Sequence, residues 1–538
     1  RLTAAATTSR RKTGSTSSAP TDRPLPSDNP RFFQARASKL QIRSAQRHRQ
    51  ITIEFRREAD VLLQDGREWD IDAYQALIRL TDGQFKPDTI YSFEASFKPE
   101  YIRTPSRLRV KISPSEKKSK WRGFGGNFVF GVASREARYC LQNLDFQWAR
   151  TQMNLELWEP RNDNSNPDET DWAFFQRRDR PGSSLRNRFK FDKELAAQVP
   201  RLITSIWYLP SWLGQEIPSS GQLDSRRVPR EQWPELVESI CSYLRYQSHK
   251  YGVEPDFFSF NEPSMGVHVK FSEKEYKAFL ERLIKAFREH DIGTKILLGD
   301  TANATDSAYR FTRNALSSPP VRQRTGAVSF HAWHNRPDNW PRWRKLADEL
   351  EVPLVVAEIG GDTGVEDFDV RNSLAYTSDE LELYQNIISI ARPDAILHWQ
   401  CTDNYGLVRF AAEDQPAEKA PAEHTTRYVM LRQYVQSTPP EAEYTESTTN
   451  HPSITANAFL IRPQGDKERK RFICHVANAG VKNKVHISGI PRDISALNVE
   501  QTQWPETEST TNELDIDNAG NATITLPARS LTTCIGSF

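Results

Sequence analysis

The sequence predicts an α/β architecture: a (β/α)8 TIM barrel, a β-rich segment before it and an antiparallel β-sandwich after it. Three observations carry this expectation. From Trp121 to about residue 438, eight short apolar runs alternate with amphipathic helical stretches. Upstream, short runs alternate apolar and polar residues with turn residues between them. After about residue 440 the helical period disappears and only strand-like runs remain.

Taken in order, residues 1–35 are rich in Ser, Thr, Pro and Ala and lack an apolar period, as in RLTAAATTSRRKTGSTSSAPTDRPLPSDNP. Such a stretch buries too little to order itself, so it reads as a disordered, linker-like lead. It has neither an initiator Met nor a hydrophobic signal core, and the expectation is a processed or trimmed chain. Residues 36–117 form the β-rich segment, with strands expected at 51–55, 76–80, 91–97 and 107–112.

Residues 118–438 are the expected barrel. Its strands read as 123–128, 148–157, 201–209, 256–262, 295–300, 327–333, 353–359 and 395–400. Among the helices between them, one is expected from Ser272 to His290. Ser272 and Glu275 make a capping box, Tyr276, Phe279, Leu280, Leu283, Ile284 and Phe287 form one stripe, and Gly293 is the expected stop. Others are expected near 230–250, with Leu236, Ile240 and Leu244 on one face, and from Ser378 to Arg392 before Pro393. An open doubly wound sheet is the alternative, and no GxGxxG or Walker motif supports it. Residues 439–538 supply AFLIRP, RFICHVAN, KVHISGI and ATITLPARSLTTCIGSF, the strands of the expected C-terminal sandwich.

Composition narrows the class. The 538 residues carry 72 Lys and Arg against 70 Asp and Glu, a net charge of +2, which makes no general case for nucleic acid or an anionic membrane. No run of about 18 apolar residues suggests a membrane span. The five cysteines, Cys140, Cys241, Cys401, Cys474 and Cys534, lack CxxC or Cys/His spacing, which argues against a zinc site. Cys474 and Cys534 lie in strand-like segments and are open to two readings, a disulfide or two buried thiols.

In a (β/α)8 barrel, reactive groups gather at the C-terminal ends of the strands. The fourth expected strand ends in Asn261–Glu262–Pro263 and the seventh in Glu358–Ile359–Gly360. A carboxylate after an apolar run is costly unless it is partnered or solvated at the barrel mouth. Two carboxylates facing one opening suit glycosidic-bond hydrolysis, one donating a proton to the leaving oxygen and the other attacking the anomeric carbon. The bland alternative for either is a helix-capping or salt-bridge carboxylate.

The ordered set of motifs resembles clan A glycoside hydrolases, whose acid/base Glu follows an Asn on strand four and whose nucleophile Glu ends strand seven. Within the clan it is most similar to glycoside hydrolase family 30. The segments that carry this are Trp121–Asn127 (WRGFGGN), Trp207–Trp212 (WYLPSW), Arg427–Tyr428 through Gln433–Tyr434, and the closing LPARSLTT, together spanning roughly 118–538. The resemblance implies Glu262 as acid/base and Glu358 as nucleophile of a retaining hydrolase of β-linked glycans, working through a glycosyl-enzyme intermediate with no metal or organic cofactor.

The resemblance also bears on the supporting residues. On the expected second strand, Arg150, Gln152, Asn154, Glu156 and Trp158 share one face, which makes Asn154 and Trp158 candidates for substrate contact beside Arg150. The clan places an Arg on this strand near the nucleophile, and Arg150 fits. Asn261 is expected to bond the sugar 2-hydroxyl. His331, sharing a face with Trp333, is expected to contact the nucleophile, and Trp399 to form an aromatic floor. Trp158, Trp207 and Trp212 are candidates for further sugar subsites, since sugar C–H faces stack on aromatic rings. Trp340 and Trp343 read as packing residues. Arg336, Arg342 and Arg409 raise the idea of an acidic glycan.

The implied partner is a carbohydrate, with no nucleic acid, membrane insertion or obligate protein partner, and the implied location is secreted, periplasmic or cell-surface. Three rival readings stay open. They are a transglycosylase or exo-glycosidase of another clan A family, a catalytically impaired carbohydrate-binding barrel, and a non-enzymatic adhesin.

Overall fold

The computed structural model describes residues 2–7, 23–24, 31–44, 49–65, 74–79, 94–101, 107–113, 120–131, 134–217, 225–266, 268–333, 337–361, 368–402, 405–410, 422–462 and 470–538. Contacts divide the chain into two compact units, 1–109 with 449–454, and 110–448 with 455–538.

The N-terminal unit is a six-stranded sheet centred on two long strands, Arg31–Ser44 and Arg49–Asp65. Alternation along them buries Leu40, Ile53, Phe55, Val61 and Leu63 in one small core. Part of the lead joins this sheet, because Leu2–Thr7 pairs antiparallel with Lys39–Ser44. This corrects the expectation of disorder at those residues. A segment with little to bury still forms a strand where a neighbouring edge satisfies its backbone groups. Residues 8–22 and 25–30 of the lead lie outside the described residues.

The second unit contains the barrel. Its strands are β1 (Phe124–Phe128), β2 (Trp148–Gln152), β3 (Arg201–Ile206), β4 (Phe257–Phe260), β5 (Lys295–Thr301), β6 (Thr325–Ala332), β7 (Leu354–Ile359) and β8 (Ala395–His398). They pair in parallel and in sequence order, and β8 returns to β1, closing the barrel. All eight expected strands are present, but β2 is shorter than its expected span. It stops at Gln152, and Asn154 then caps a short helix, Leu155–Trp158, by accepting from the Leu157 N–H.

The expected helices form, although the one expected from Ser378 starts at Leu374, capped by Ser373. Glu273–Glu289 starts with the Ser272/Glu275 capping box and buries the expected stripe. Its stop differs from the expected one. Asp291 takes the left-handed conformation at φ 54°, and Gly293 lacks a positive φ. A Cβ there would sit 2.6 Å from Glu254 Oε1, the movable end of a side chain that accepts from the Gly293 N–H at 2.5 Å. Trp340 and Trp343 are fully buried on the helix Trp340–Leu350, as packing residues.

Inside the barrel, Trp148, Ile203, Phe257, Leu297, Ala327, Val355 and Ala395 belong to one apolar cluster. Two residues further along their strands the interior becomes polar at Arg150, Ser205, Ser259 and Ser329, all buried. Another two residues on come Gln152, Trp207, Asn261, His331 and Trp399. The period of two thus stacks an apolar plug beneath a polar layer beneath the mouth.

The C-terminal strands form a nine-stranded sheet. Its two edge strands, Thr510–Asp515 and Asn521–Leu526, touch, so the sheet curls back on itself. Leu108–Ser113, from upstream of the barrel, lies in this sheet between Glu443–Thr449 and Asn483–Ser488. Cys474 and Cys534 are directly opposed on neighbouring strands, and all five cysteines are free, buried thiols. No helix among the described residues is long and apolar enough to cross a membrane.

Candidate active site

Arg150 organises the polar layer. It is fully buried and uses all five donor positions of its guanidinium. Nε donates to Ser205 Oγ at 3.0 Å, and Nη1 donates to Asn127 Oδ1 at 3.1 Å and Glu358 Oε1 at 2.5 Å. Nη2 donates to Asn261 Oδ1 at 2.8 Å and Asp300 Oδ2 at 2.7 Å. The Trp207 ring centroid lies 4.2 Å from the guanidinium carbon.

Local backbone irregularities aim three carboxylates inward. Val355 and Ala357 of β7 face the barrel interior, so strict alternation would turn Glu358 away from it. The β6–β7 register shifts here and brings Glu358 level with His331. Glu262 and Asp300 each adopt φ 48°, a left-handed conformation that side chains larger than glycine rarely take. It redirects each carboxylate at the end of its strand.

His331 joins these groups. Its Nε2 bonds Asp300 Oδ1 at 2.9 Å, and its Nδ1 lies 2.9 Å from Glu262 Oε1 and 3.2 Å from Glu358 Oε2. Burial opposes a charged ring, but Glu358 and Asp300 outweigh it and push the imidazole up to about 10. A ring charged in this way donates from both nitrogens to carboxylates.

Asp300 is held well below the ordinary carboxylate range by Arg150 and His331, against the effect of its own burial. Glu358 is pushed up to about 7 by burial, helped by nearby Glu262 and opposed by His331 and Arg150. Trp333 Nε1 donates to Glu358 Oε2 at 3.1 Å. An oxygen of Glu262, an oxygen of Glu358 and a ring nitrogen of His331 all lie within 4.8 Å of one another.

Aromatic rings line the mouth. Val129, Trp207 and Trp399 cluster there, with Phe130, Tyr208, Trp333 and Tyr405 partly buried against them. Trp399 lies 6.0 Å from both Trp207 and Trp333, centroid to centroid.

Eight of the expected site residues therefore meet at one place: Glu262, Glu358, Arg150, Asn261, His331, Trp207, Trp333 and Trp399. Trp158 does not, which corrects its assignment to a sugar subsite. It is fully buried, stacks on Phe175 at 4.1 Å and donates to Ser242 Oγ. The helix that replaces the end of β2 turns it into the core. Asn154 is engaged in capping that helix. Trp212 is half-buried, with Nε1 donating to the Glu159 carbonyl. Arg342 pairs with Asp306 and Arg409 with Glu423, while Arg336 lies outside the described residues.

The sequence reading missed Asp300, Asn127, Ser205, Ser259 and Ser329. Ser259 donates to Asp300 Oδ2 at 2.6 Å, and Asn127 donates to the Ala357 and His398 carbonyls. The available signal was a polar residue within or closing an apolar strand run, the same signal that pointed to Glu262 and Glu358.

No family sequence model matches the chain, and no curated protein matches it by sequence. Solved structures do match its fold. A GH30 endoxylanase from Clostridium papyrosolvens C71 aligns at TM-score 0.60 and 15% identity, over 80% of this chain and 100% of that one. A family 30 subfamily 8 xylanase, Xyn30A, from Clostridium acetobutylicum aligns at 0.59 and 14%, with the same coverage. An endo-β-1,6-glucanase aligns at 0.54 and 14%, over 80% of this chain and 94% of that one. The chain thus has a GH30-like clan A fold.

Proposed function

We propose that this chain is a retaining glycoside hydrolase acting on a β-linked glycan, with Glu262 as acid/base and Glu358 as nucleophile. The observation that carries the reading is the approach of a Glu262 oxygen and a Glu358 oxygen to within 4.8 Å at the barrel mouth. Retaining enzymes hold their carboxyl groups about 5–5.5 Å apart, whereas inverting enzymes leave roughly 6.5–9.5 Å for a water between them. The fold it shares with the xylanases and the glucanase supports the same reading.

In the first step a Glu358 oxygen attacks the anomeric carbon as the bond to the leaving oxygen breaks, and Glu262 delivers its proton to that oxygen. Arg150 and the Trp333 N–H hold the attacking carboxylate in line. Asn261 gives its oxygen to Arg150, so its amide N–H groups are the end that serves a sugar hydroxyl. In the second step Glu262, now ionised, takes a proton from water, which displaces Glu358 and restores the anomeric configuration. Trp399 and Trp207 offer apolar faces for sugar stacking. Where the glycan is a polysaccharide rather than an oligosaccharide, the reading extends to action outside the cytoplasm.

The test has two parts. Proton NMR of the first product released from an aryl β-glycoside should show the β-anomer, and a 2-fluoro glycosyl inhibitor should label Glu358. An α-anomer appearing first, or a label on another residue, overturns the proposal.

A further inference from the structure

Arg150 and Trp333 hold Glu358 by its carboxylate, and a separate contact holds the backbone just beyond it. β7 ends at Ile359, and Gly360 and Gly361 follow, two residues with little conformational preference of their own. Tyr376 supplies the restraint. The Gly361 N–H donates to the Tyr376 hydroxyl at 3.1 Å, and the same hydroxyl donates to the Gly361 carbonyl at 3.1 Å. Both glycines fit closely. A Cβ on Gly361 would sit 3.1 Å from the Tyr376 ring, and one on Gly360 would sit 3.3 Å from the ring of Trp333.

Tyr376 is itself held by a buried charge. It stands near the start of the helix Leu374–Asn386, with the guanidinium carbon of Arg427 4.9 Å from its ring centroid. Arg427 belongs to the helix Thr426–Ser437 and makes a forked pair with Glu380, Nε donating to Oε2 and Nη2 to Oε1, both at 2.8 Å. Glu380 lies four residues after Tyr376, about one turn along the same helix face. All three side chains are buried. Burial would raise the Glu380 carboxyl, but Arg427 outweighs it and holds the group below the ordinary carboxylate range. Arg427 Nη1 also donates to the Tyr405 carbonyl at 3.5 Å, and the Tyr405 ring packs 5.9 Å from Trp333.

We propose that Tyr376 is a positioning residue for the nucleophile, clamping the backbone just beyond Glu358, and that the Arg427–Glu380 pair holds the clamp in place. The proposal rests on the reading of Glu358 as nucleophile. The inward aim of Glu358 depends on the irregular end of β7, where the register with β6 shifts. A hydroxyl tied to both backbone groups of Gly361 keeps that end from turning. Desolvation offsets most of the stability a buried ion pair could add, so the geometry it imposes is the better account of Arg427 and Glu380. Tyr376 acts only through Glu358. Its loss slows nucleophilic attack and leaves sugar affinity and proton delivery by Glu262 intact. A misplacement of about 1 Å at a reacting group costs on the order of 10²-fold, and loosening Gly361 by one hydroxyl should cost about 10-fold.

The experiment times the labelling of Glu358 in the full chain by 2,4-dinitrophenyl 2-deoxy-2-fluoro β-glucoside and β-xyloside, whose leaving group needs little protonation. Tyr376→Phe keeps the ring over Arg427 and deletes only the hydroxyl. Its maximal labelling rate should fall about 10-fold, with the inhibitor's binding constant and the melting temperature close to those of the wild type. For aryl substrates kcat/KM should fall by the same factor whether the leaving group is good or poor, which separates this loss from one of acid catalysis. Gly361→Ala crowds the same contact from the backbone side and should also slow labelling; it carries the test if Tyr376→Phe does not fold. Arg427→Lys keeps the charge without the fork and should slow labelling less, and adding it to Tyr376→Phe should slow labelling no further. Labelling at the wild-type rate in Tyr376→Phe or Gly361→Ala overturns the proposal, as does a loss confined to inhibitor affinity. A wild type labelled at another residue, or not at all, overturns the reading of Glu358 and this proposal with it. Normal labelling of Glu358 in both wild type and variants sinks this proposal alone.

Discussion

Asp300 Oδ1 lies 2.9 Å from His331 Nε2, and the opposite face of the same imidazole meets Glu262 and Glu358. A residue that touches neither sugar nor reacting atoms in the proposed mechanism thus helps Glu358 to hold the charge of the imidazole that touches both carboxylates.

Replacing Asp300 with Asn keeps the shape and removes that charge. The imidazole, now held at about 10, should titrate at lower pH, and activity should fall together with that shift. Stability follows the same linkage. Because the folded imidazole titrates above its ordinary 6.5, its contribution is full below 6.5 and is lost as pH rises toward about 10. Thermal melting across this range should show the wild type losing stability and the Asn variant changing much less. Parallel curves for the two proteins would refute the role given to Asp300.

Glu358 must be ionised to attack, and burial holds it at about 7. The rate kcat/KM should therefore fall as pH drops below about 7. Arg150→Lys, which keeps the cation but loses the forked geometry, should move this acid limb to higher pH and lower the maximum. A pH profile on an aryl β-glycoside measures both effects, and a limb left unmoved in the variant would argue against control of Glu358 by Arg150.

Glu262→Ala should spare substrates with good leaving groups during glycosylation, since they need little protonation. Natural glycans should lose about 10²–10⁴ in kcat/KM. Deglycosylation should slow for every substrate, visible as a burst of aryl leaving group. Equal losses in the glycosylation step for both substrate types would remove the acid/base assignment.

Glu358→Ala should lose activity on every substrate, activated or natural. Azide should restore turnover by forming a glycosyl azide of inverted configuration. Substantial residual activity without azide would displace Glu358 from the nucleophile role.

Trp399→Ala should weaken glycan binding, with an effect of about 1–3 kcal/mol, while circular dichroism stays unchanged. Unaltered kinetics on the preferred glycan would leave Trp399 as a packing residue.

The barrel was legible because its signal is periodic. Continuous apolar strands such as PLVVAEI and helices with clean stripes such as 273–289 recur at regular spacing. Glu262 and Glu358 were legible because a carboxylate ending an apolar run is chemically out of place. Asp300 carries the same signature in KILLGD and was passed over because no motif drew attention to it. Trp158 was misplaced for the opposite reason: a period of two was extended beyond the point where Asn154 ends the strand and starts a helix. The register shift that turns Glu358 inward has no local sequence mark, since it depends on how β7 pairs with β6.

Leu108–Ser113 has a consequence for biosynthesis. This strand leaves the ribosome before any part of the barrel, yet its partners Glu443–Thr449 and Asn483–Ser488 emerge more than three hundred residues later. It must wait, with its apolar face at Leu108, Val110 and Ile112 uncovered, through the synthesis of the whole barrel. The terminal sheet therefore cannot be completed from its own contiguous segment. A fragment starting at the barrel, or one ending with it, would each leave a strand edge open to pairing between molecules.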